Sequence, residues 1–206
     1  MSKLYGTLPI NLGEVDISPE EMMFWLYCPI KKPFGELIFP DNLIQFNPIL
    51  KKVKEDNIIN WNNCFVYITA KSLWVNPDNV GNRKGWHSDG FMTDDINYIW
   101  YDCMSTVFMQ PHDLFFLTQD HLLSMDEMNM INYKNIVTFD NKHLLKLDET
   151  VIHKVAECTK SCYRTFVKIS LSKEFYNLKG NSINHKMKLP QPTVNRKKYR
   201  NCPIGK

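Results

Sequence analysis

Cys64-Phe65-Val66-Tyr67-Ile68-Thr69-Ala70-Lys71-Ser72-Leu73-Trp74-Val75 is the stretch on which the fold turns. β-Branched and aromatic side chains dominate it, and no glycine or proline interrupts it, so it reads as one long strand. A loop follows, Asn76-Pro77-Asp78-Asn79-Val80-Gly81-Asn82, and then seven shorter runs of the same texture at 97–101, 105–109, 114–117, 135–139, 143–147, 151–157 and 162–172. Residues 118–133, with Asp120, Asp126 and Glu127 among methionines, read as a loop or short helix. Eight short strands after a helical start predict a mainly β protein with flanking helices, a double-sheet jelly roll.

Upstream of the strands, residues 1–17 read as an extended lead-in. Ser18-Pro19-Glu20-Glu21 carries three helix-start signals: a capping serine, a proline at the first helical position and a glutamate closing a capping box. A buried helix is expected from there through Met22, Met23, Phe24, Trp25, Leu26 and Tyr27 to Cys28-Pro29. A second helical piece is expected from Asp41 to Asp56, turning Leu43, Ile44, Phe46, Ile49, Leu50 and Val53 inward, with Pro48 breaking or restarting it.

At 206 residues, 44% hydrophobic and 13% aromatic, the chain is large enough for one packed domain. That domain is expected over 1–178, with helices in 18–56 and the jelly-roll core in 60–172, followed by a basic tail at 179–206. The tail holds Lys179, Lys186, Lys188, Arg196, Lys197, Lys198, Arg200 and Lys206 and no acid, so a net charge of +3 becomes −5 for the body. The six cysteines lack the paired spacing of zinc modules, and reduced thiols are expected. The longest apolar run, Met22 to Ile30, falls far short of the roughly 20 residues that span a bilayer, so the expected place is cytoplasmic, with no membrane partner.

Chemistry concentrates at Gly85-Trp86-His87-Ser88-Asp89-Gly90-Phe91. On a strand, a period of two puts His87 and Asp89 on one face. His153, in Val151-Ile152-His153-Lys154, offers a third ligand, and Arg164 follows eleven residues later. Two imidazoles and one carboxylate, with coordination positions left over, are the donors that suit non-haem Fe(II). If the last two strands form a hairpin across Thr159-Lys160, Val155 lies opposite Arg164, and Arg164 and His153 share a face. A turn longer by one residue would put Arg164 outside. The other face of the last strand, Tyr163, Thr165, Val167, Ile169 and Leu171, suits packing on the amino-terminal helices.

With these residues the chain resembles the Fe(II)/2-oxoglutarate-dependent dioxygenases over roughly 64–172, a family whose fold is a double-stranded, cupin-like β-helix. The wider string from Trp86 to Phe91, with Asp95-Ile96-Asn97-Tyr98-Ile99-Trp100, is also similar to small phage-type members. The resemblance implies iron on His87, Asp89 and His153, and 2-oxoglutarate as co-substrate with its far carboxylate on Arg164. It implies consumption of O2, release of succinate and carbon dioxide, and hydroxylation of a primary substrate that the sequence does not identify. Where many members carry Ser or Thr two residues after the arginine, this chain has Phe166; a hydroxyl from Tyr98, Thr106 or Tyr67 is the expected replacement.

The competing readings are plainer. The chain could be a jelly-roll metalloprotein using another ion, or a module that binds nucleic acid through the tail, where Tyr199 could stack. His112, His121, His143 and His185 read as ordinary surface or core histidines, and Trp74 as core, with Trp100 open between core and pocket. A zinc site at Cys158 and Cys162 lacks further ligands, so free thiols are the reading there.

Overall fold

The computed structural model of the chain describes residues 3–20, 22 and 24–196. Its strands are antiparallel and lie in three sheets. The largest runs in the order β2 (Ile10–Glu14), β10 (His143–Leu147), β6 (Ile96–Tyr101), β12 (Cys162–Ser172), β4 (Phe65–Val75), β3 (Trp25–Lys31). The second runs β5 (His87–Ser88), β11 (Ile152–Val155), β7 (Thr106–Pro111), β9 (Tyr133–Thr138), and β1 (Leu4–Tyr5) pairs with β8 (Phe115–Phe116). The deciding stretch is therefore the strand it was expected to be. β4 pairs with β12 along its whole length, from Cys162↔Val75 to Ser172↔Phe65.

Side-chain alternation on β12 divides the interior in two. Val167, Ile169 and Leu171 face outward from the sheet onto helix α1 (Asn47–Asp56) and α2 (Ile58–Asn63), packing with Leu43, Phe46, Ile49, Leu50, Val53 and Trp61. The helical piece expected at 41–56 is present as a 3-10 segment, Asp41–Phe46, that α1 continues with Pro48 in its first turn. There a missing N–H costs nothing. The alternate β12 residues, Phe166 and Lys168, face a cavity of about 430 Å³ that the second sheet helps to line. The short helix α3 (Leu123–Met130) falls within the stretch read as loop or short helix.

Three expectations are corrected. Among the described residues no helix follows Ser18-Pro19; Trp25–Lys31 is the edge strand β3, with Trp25↔Ala70, Cys28↔Ile68 and Pro29↔Tyr67. Capping signals are worth about 1 kcal/mol, which pairing and burial against β4 outweigh, and an edge strand tolerates Pro29. Glu21 and Met23 of that stretch lie outside the described residues. β11 and β12 do not form a hairpin: Val155 pairs with Thr106 in one sheet and Arg164 with Leu73 in the other. The six residues 156–161 carry the chain between sheets, beginning with Ala156 N–H donating to the Ser105 carbonyl. Trp74 is 63% exposed rather than core, while Trp100 is fully buried, its indole N–H shared by the Val15 and Lys142 carbonyls at 3.0 Å each.

The described part of the expected tail, 179–196, lies against β3. Leu26 and Ser182 exchange hydrogen bonds, and the Asn184 amide donates to the Pro29 and Ile38 carbonyls. Lys197, Lys198, Tyr199, Arg200 and Lys206 lie outside the described residues. Among the described residues, no helix is long and apolar enough to cross a membrane.

Candidate metal centre

His87 and His153 are direct register partners on the neighbouring strands β5 and β11, their ring centroids 4.6 Å apart. Asp89 follows β5 at the entry to a turn, and its Oδ2 lies 3.7 Å from His153 Nε2. One donor atom from each of the three residues falls within 4.8 Å of the others, close enough to hold a single metal ion. The strand period thus delivers the first two donors and antiparallel pairing the third.

Neighbouring backbone sets the state of each donor. His87 Nδ1 lies 3.0 Å from the Gly85 carbonyl and His153 Nδ1 3.3 Å from the Val151 carbonyl. A carbonyl can only accept, so each Nδ1 carries the proton and each Nε2 keeps its lone pair. Burial pushes His87 down to about 3 and also lowers His153, so both rings are neutral near pH 7. Burial alone would raise Asp89, but Lys168 first, then His153 and His87, hold it ionised well below the usual carboxylate range. Two neutral imidazoles and a carboxylate are in the protonation states that a divalent cation requires.

The strand carrying these donors is pinned from both sides. The Asn129 side chain of α3 accepts from Trp86 N–H at 3.0 Å and donates to the Trp86 carbonyl at 3.3 Å. Gly85, at φ +83, lets it approach, since a Cβ there would meet Asn129 Oδ1 at 3.1 Å. Ser88 donates to the Glu149 carbonyl ahead of β11.

The residue that the sequence reading missed is Lys168. Its ammonium lies 2.9 Å from Asp89 Oδ2 and 3.2 Å from the Tyr27 hydroxyl, on a side chain that is almost wholly buried. Burial disfavours its charge, but Asp89 and then Tyr27 outweigh that and raise its pKa above the usual lysine value. The parity of β12 could have found it, because Lys168 stands four residues after Arg164 on the same face.

The co-substrate candidates separate. Arg164 is buried, with Nε donating to the Cys103 and Met104 carbonyls at 3.0 Å each. Its Nη2 is buried without a hydrogen-bond partner, and its strand neighbours Leu73 and Phe166 line the cavity although Arg164 itself does not. Thr106 lines the cavity beside Val155. Tyr98 does not: its hydroxyl donates to Asp56 Oδ2 at 2.6 Å, because it shares the helix-facing side with its register partner Ile169. The Tyr67 hydroxyl is also engaged, donating to the Glu174 carbonyl and accepting from Tyr176 N–H. His121 is part of the cavity lining, with its ring 5.8 Å from that of Phe91. The described cysteines are free, and Cys162 Sγ lies 3.5 Å from Cys103 Sγ.

No protein-family model matches the chain, and no curated protein matches it.

Proposed function

We propose that the protein is an Fe(II)- and 2-oxoglutarate-dependent oxygenase built on a double-stranded β-helix. The observation that carries the reading is the convergence of His87, Asp89 and His153 within 4.8 Å at the wall of a cavity large enough for a small molecule. The strand order supports it. Counting eight strands from β4 and leaving out β8, one sheet holds the first, eighth, third and sixth, and the other the second, seventh, fourth and fifth. A jelly roll accounts for this order, since the chain changes sheet at every step but the one from β7 to β9, which pair with each other.

The residues fit the two groups that the reading requires. His87 and His153 offer Nε2 lone pairs held by the Gly85 and Val151 carbonyls, and Asp89 offers an ionised oxygen. Two nitrogens and one oxygen leave further coordination positions open, as Fe(II) oxygenases need. The buried, unpartnered Nη2 of Arg164 is the orphan that a carboxylate would satisfy, and a planar guanidinium is suited to it. When bound, iron and 2-oxoglutarate would supply the oxidation of the co-substrate by O2 to succinate and carbon dioxide, coupled to hydroxylation of a C–H bond. The chain's own work is to keep both imidazoles unprotonated, to keep the carboxylate ionised through Lys168 and to exclude water with Phe91 and Phe166.

A jelly-roll metalloprotein working with another ion is the second reading, since the donor set also suits other divalent cations. Arg164 argues for the oxygenase, because its orphan nitrogen has no use in metal binding alone. The test is succinate production by the purified protein given Fe(II), O2 and 2-oxoglutarate, where slow turnover without primary substrate is expected. His87→Ala and Asp89→Ala are expected to abolish it, and full iron-dependent turnover in both variants would reject the site.

A further inference from the structure

The cavity carries more positive charge than the metal centre uses. Lys71, Arg83 and Lys168 line it, against Asp89 and Asp95. Lys168 is paired with Asp89, and Asp95 accepts the Tyr176 hydroxyl at 2.7 Å. Lys71 has no such partner. No carboxylate lies within ion-pair distance of it among the described residues, and the charged groups that act on it are Arg164 and Lys168, both cations. Its ammonium donates to the Gly81 carbonyl and stands 5.7 and 5.6 Å from the ring centroids of Phe24 and Phe166. Burial, reinforced by the two cations, brings its pKa down to about 8.

A part-buried ammonium among like charges is unfavourable unless something supplies the opposite charge. Nothing in the described protein does so, and Arg83, which lines the same cavity, also forms no ion pair among the described residues. We propose that the primary substrate is a small organic anion whose carboxylate or phosphate group binds Lys71, with its carbon skeleton against Phe24 and Phe166. About 430 Å³ accommodates a small molecule. Two anion positions are then distinct: Arg164 Nη2 for the co-substrate, buried next to the cavity-lining Leu73 and Phe166, and Lys71 for the substrate, one strand over, where it pairs with Phe166. This names the substrate class of the oxygenase proposed above and rests on that reading for turnover, whereas binding of the anion does not depend on it.

The experiment titrates three probes of similar size into the purified protein by calorimetry: phenyl phosphate, benzoate and benzylamine. Either or both anions are expected to bind and benzylamine to bind at least fivefold more weakly. Lys71→Met is expected to weaken the bound anion at least fivefold, with Lys71→Arg restoring it. Affinity for 2-oxoglutarate, measured on metal-loaded protein without oxygen, is expected to stay within fivefold in Lys71→Met. In the wild-type protein, acetic anhydride modification of Lys71, followed by peptide mass, is expected to slow with the bound anion and not with benzylamine, a readout that needs no variant to fold. Absence of anion binding, comparable binding of benzylamine, a smaller effect of Lys71→Met or no protection would each overturn the proposal. A fivefold loss of 2-oxoglutarate affinity would overturn it too, by making Lys71 the co-substrate's anchor. Protection by an anion in a protein that never forms succinate would reject the oxygenase and keep the anion site.

Discussion

Lys168 Nζ stands 2.9 Å from Asp89 Oδ2, the same carboxylate oxygen that lies 3.7 Å from His153 Nε2. An ammonium and a divalent cation would therefore compete for one oxygen. In the metal-free protein the ion pair keeps a nearly buried carboxylate compensated, and removing one partner of such a pair typically costs 3–5 kcal/mol. Lys168→Met is expected to lower the stability of the metal-free protein by about 3 kcal/mol. It is also expected to tighten Mn2+ binding by roughly tenfold, because one like charge leaves the site. Thermal unfolding with and without Mn2+ checks both. A variant that Mn2+ stabilises no more than it does the wild type would show that Lys168 does not share the metal's oxygen.

The centre was legible because its donors obey short-range rules. His87 and Asp89 are two apart, and the β texture around them is plain. Lys168 obeys the same parity, which puts it on the Arg164 face, but a lysine within an apolar strand carries no local sign of being buried, and its burial follows from the register of β12 on β4. Tyr98 fails for the converse reason: the face that it takes is fixed by its pairing with Ile169 and by Asp56 on α1, both distant in sequence. At Ser18-Pro19 the capping signals answered only a local question, and the helix they predicted does not form among the described residues. The edge of β4 decided instead, and it is visible only once the sheet exists.

Gly90 directly follows the ligand Asp89 at φ +75, and a Cβ there would meet Thr93 Oγ1 at 3.1 Å and Asp95 Cβ at 3.2 Å. Its carbonyl anchors the turn, accepting the Thr93 N–H at 2.8 Å and the Thr93 hydroxyl at 2.7 Å. Gly90→Ala is expected to cost about 1–2 kcal/mol and, by turning Asp89 aside, to weaken Mn2+ binding by roughly tenfold. Gly180→Ala is the control, since φ is +90 there but nothing lies within 4 Å of the added Cβ. Its expected cost is in stability alone. Equal Mn2+ affinities in the two variants would dissociate Gly90 from the centre.

Arg164 holds two carbonyls with Nε and leaves Nη2 free, so truncation to alanine mixes a structural loss with any loss of co-substrate. Arg164→Lys keeps the charge and removes the fork. On the oxygenase reading it is expected to raise the 2-oxoglutarate concentration needed for half-maximal succinate formation by tenfold or more. Iron affinity is expected to change little, because Arg164 makes no contact with the three donors among the hydrogen bonds and ion pairs of the described residues. An unchanged requirement for 2-oxoglutarate would remove Arg164 from the co-substrate site.

Lys71 makes the protein's stability depend on pH in a direction opposite to that of an ordinary paired lysine. Its pKa is about 8 in the folded chain, from a reference of 10.5, so between those values the unfolded chain binds more protons. Stability from this group therefore rises with pH across the window, and below about 8 the folded protein carries the whole penalty of the buried charge. Lys71→Met removes that penalty. The variant's stability relative to wild type is expected to be greater at pH 7 than at pH 10.5 by on the order of 2 kcal/mol, after allowance for partial exposure. Urea unfolding of both proteins at the two pH values measures this, and taking the difference cancels groups that titrate in both. A difference that does not change with pH would mean that Lys71 is not held as an uncompensated cation, and the case for an anionic partner would lose its electrostatic basis.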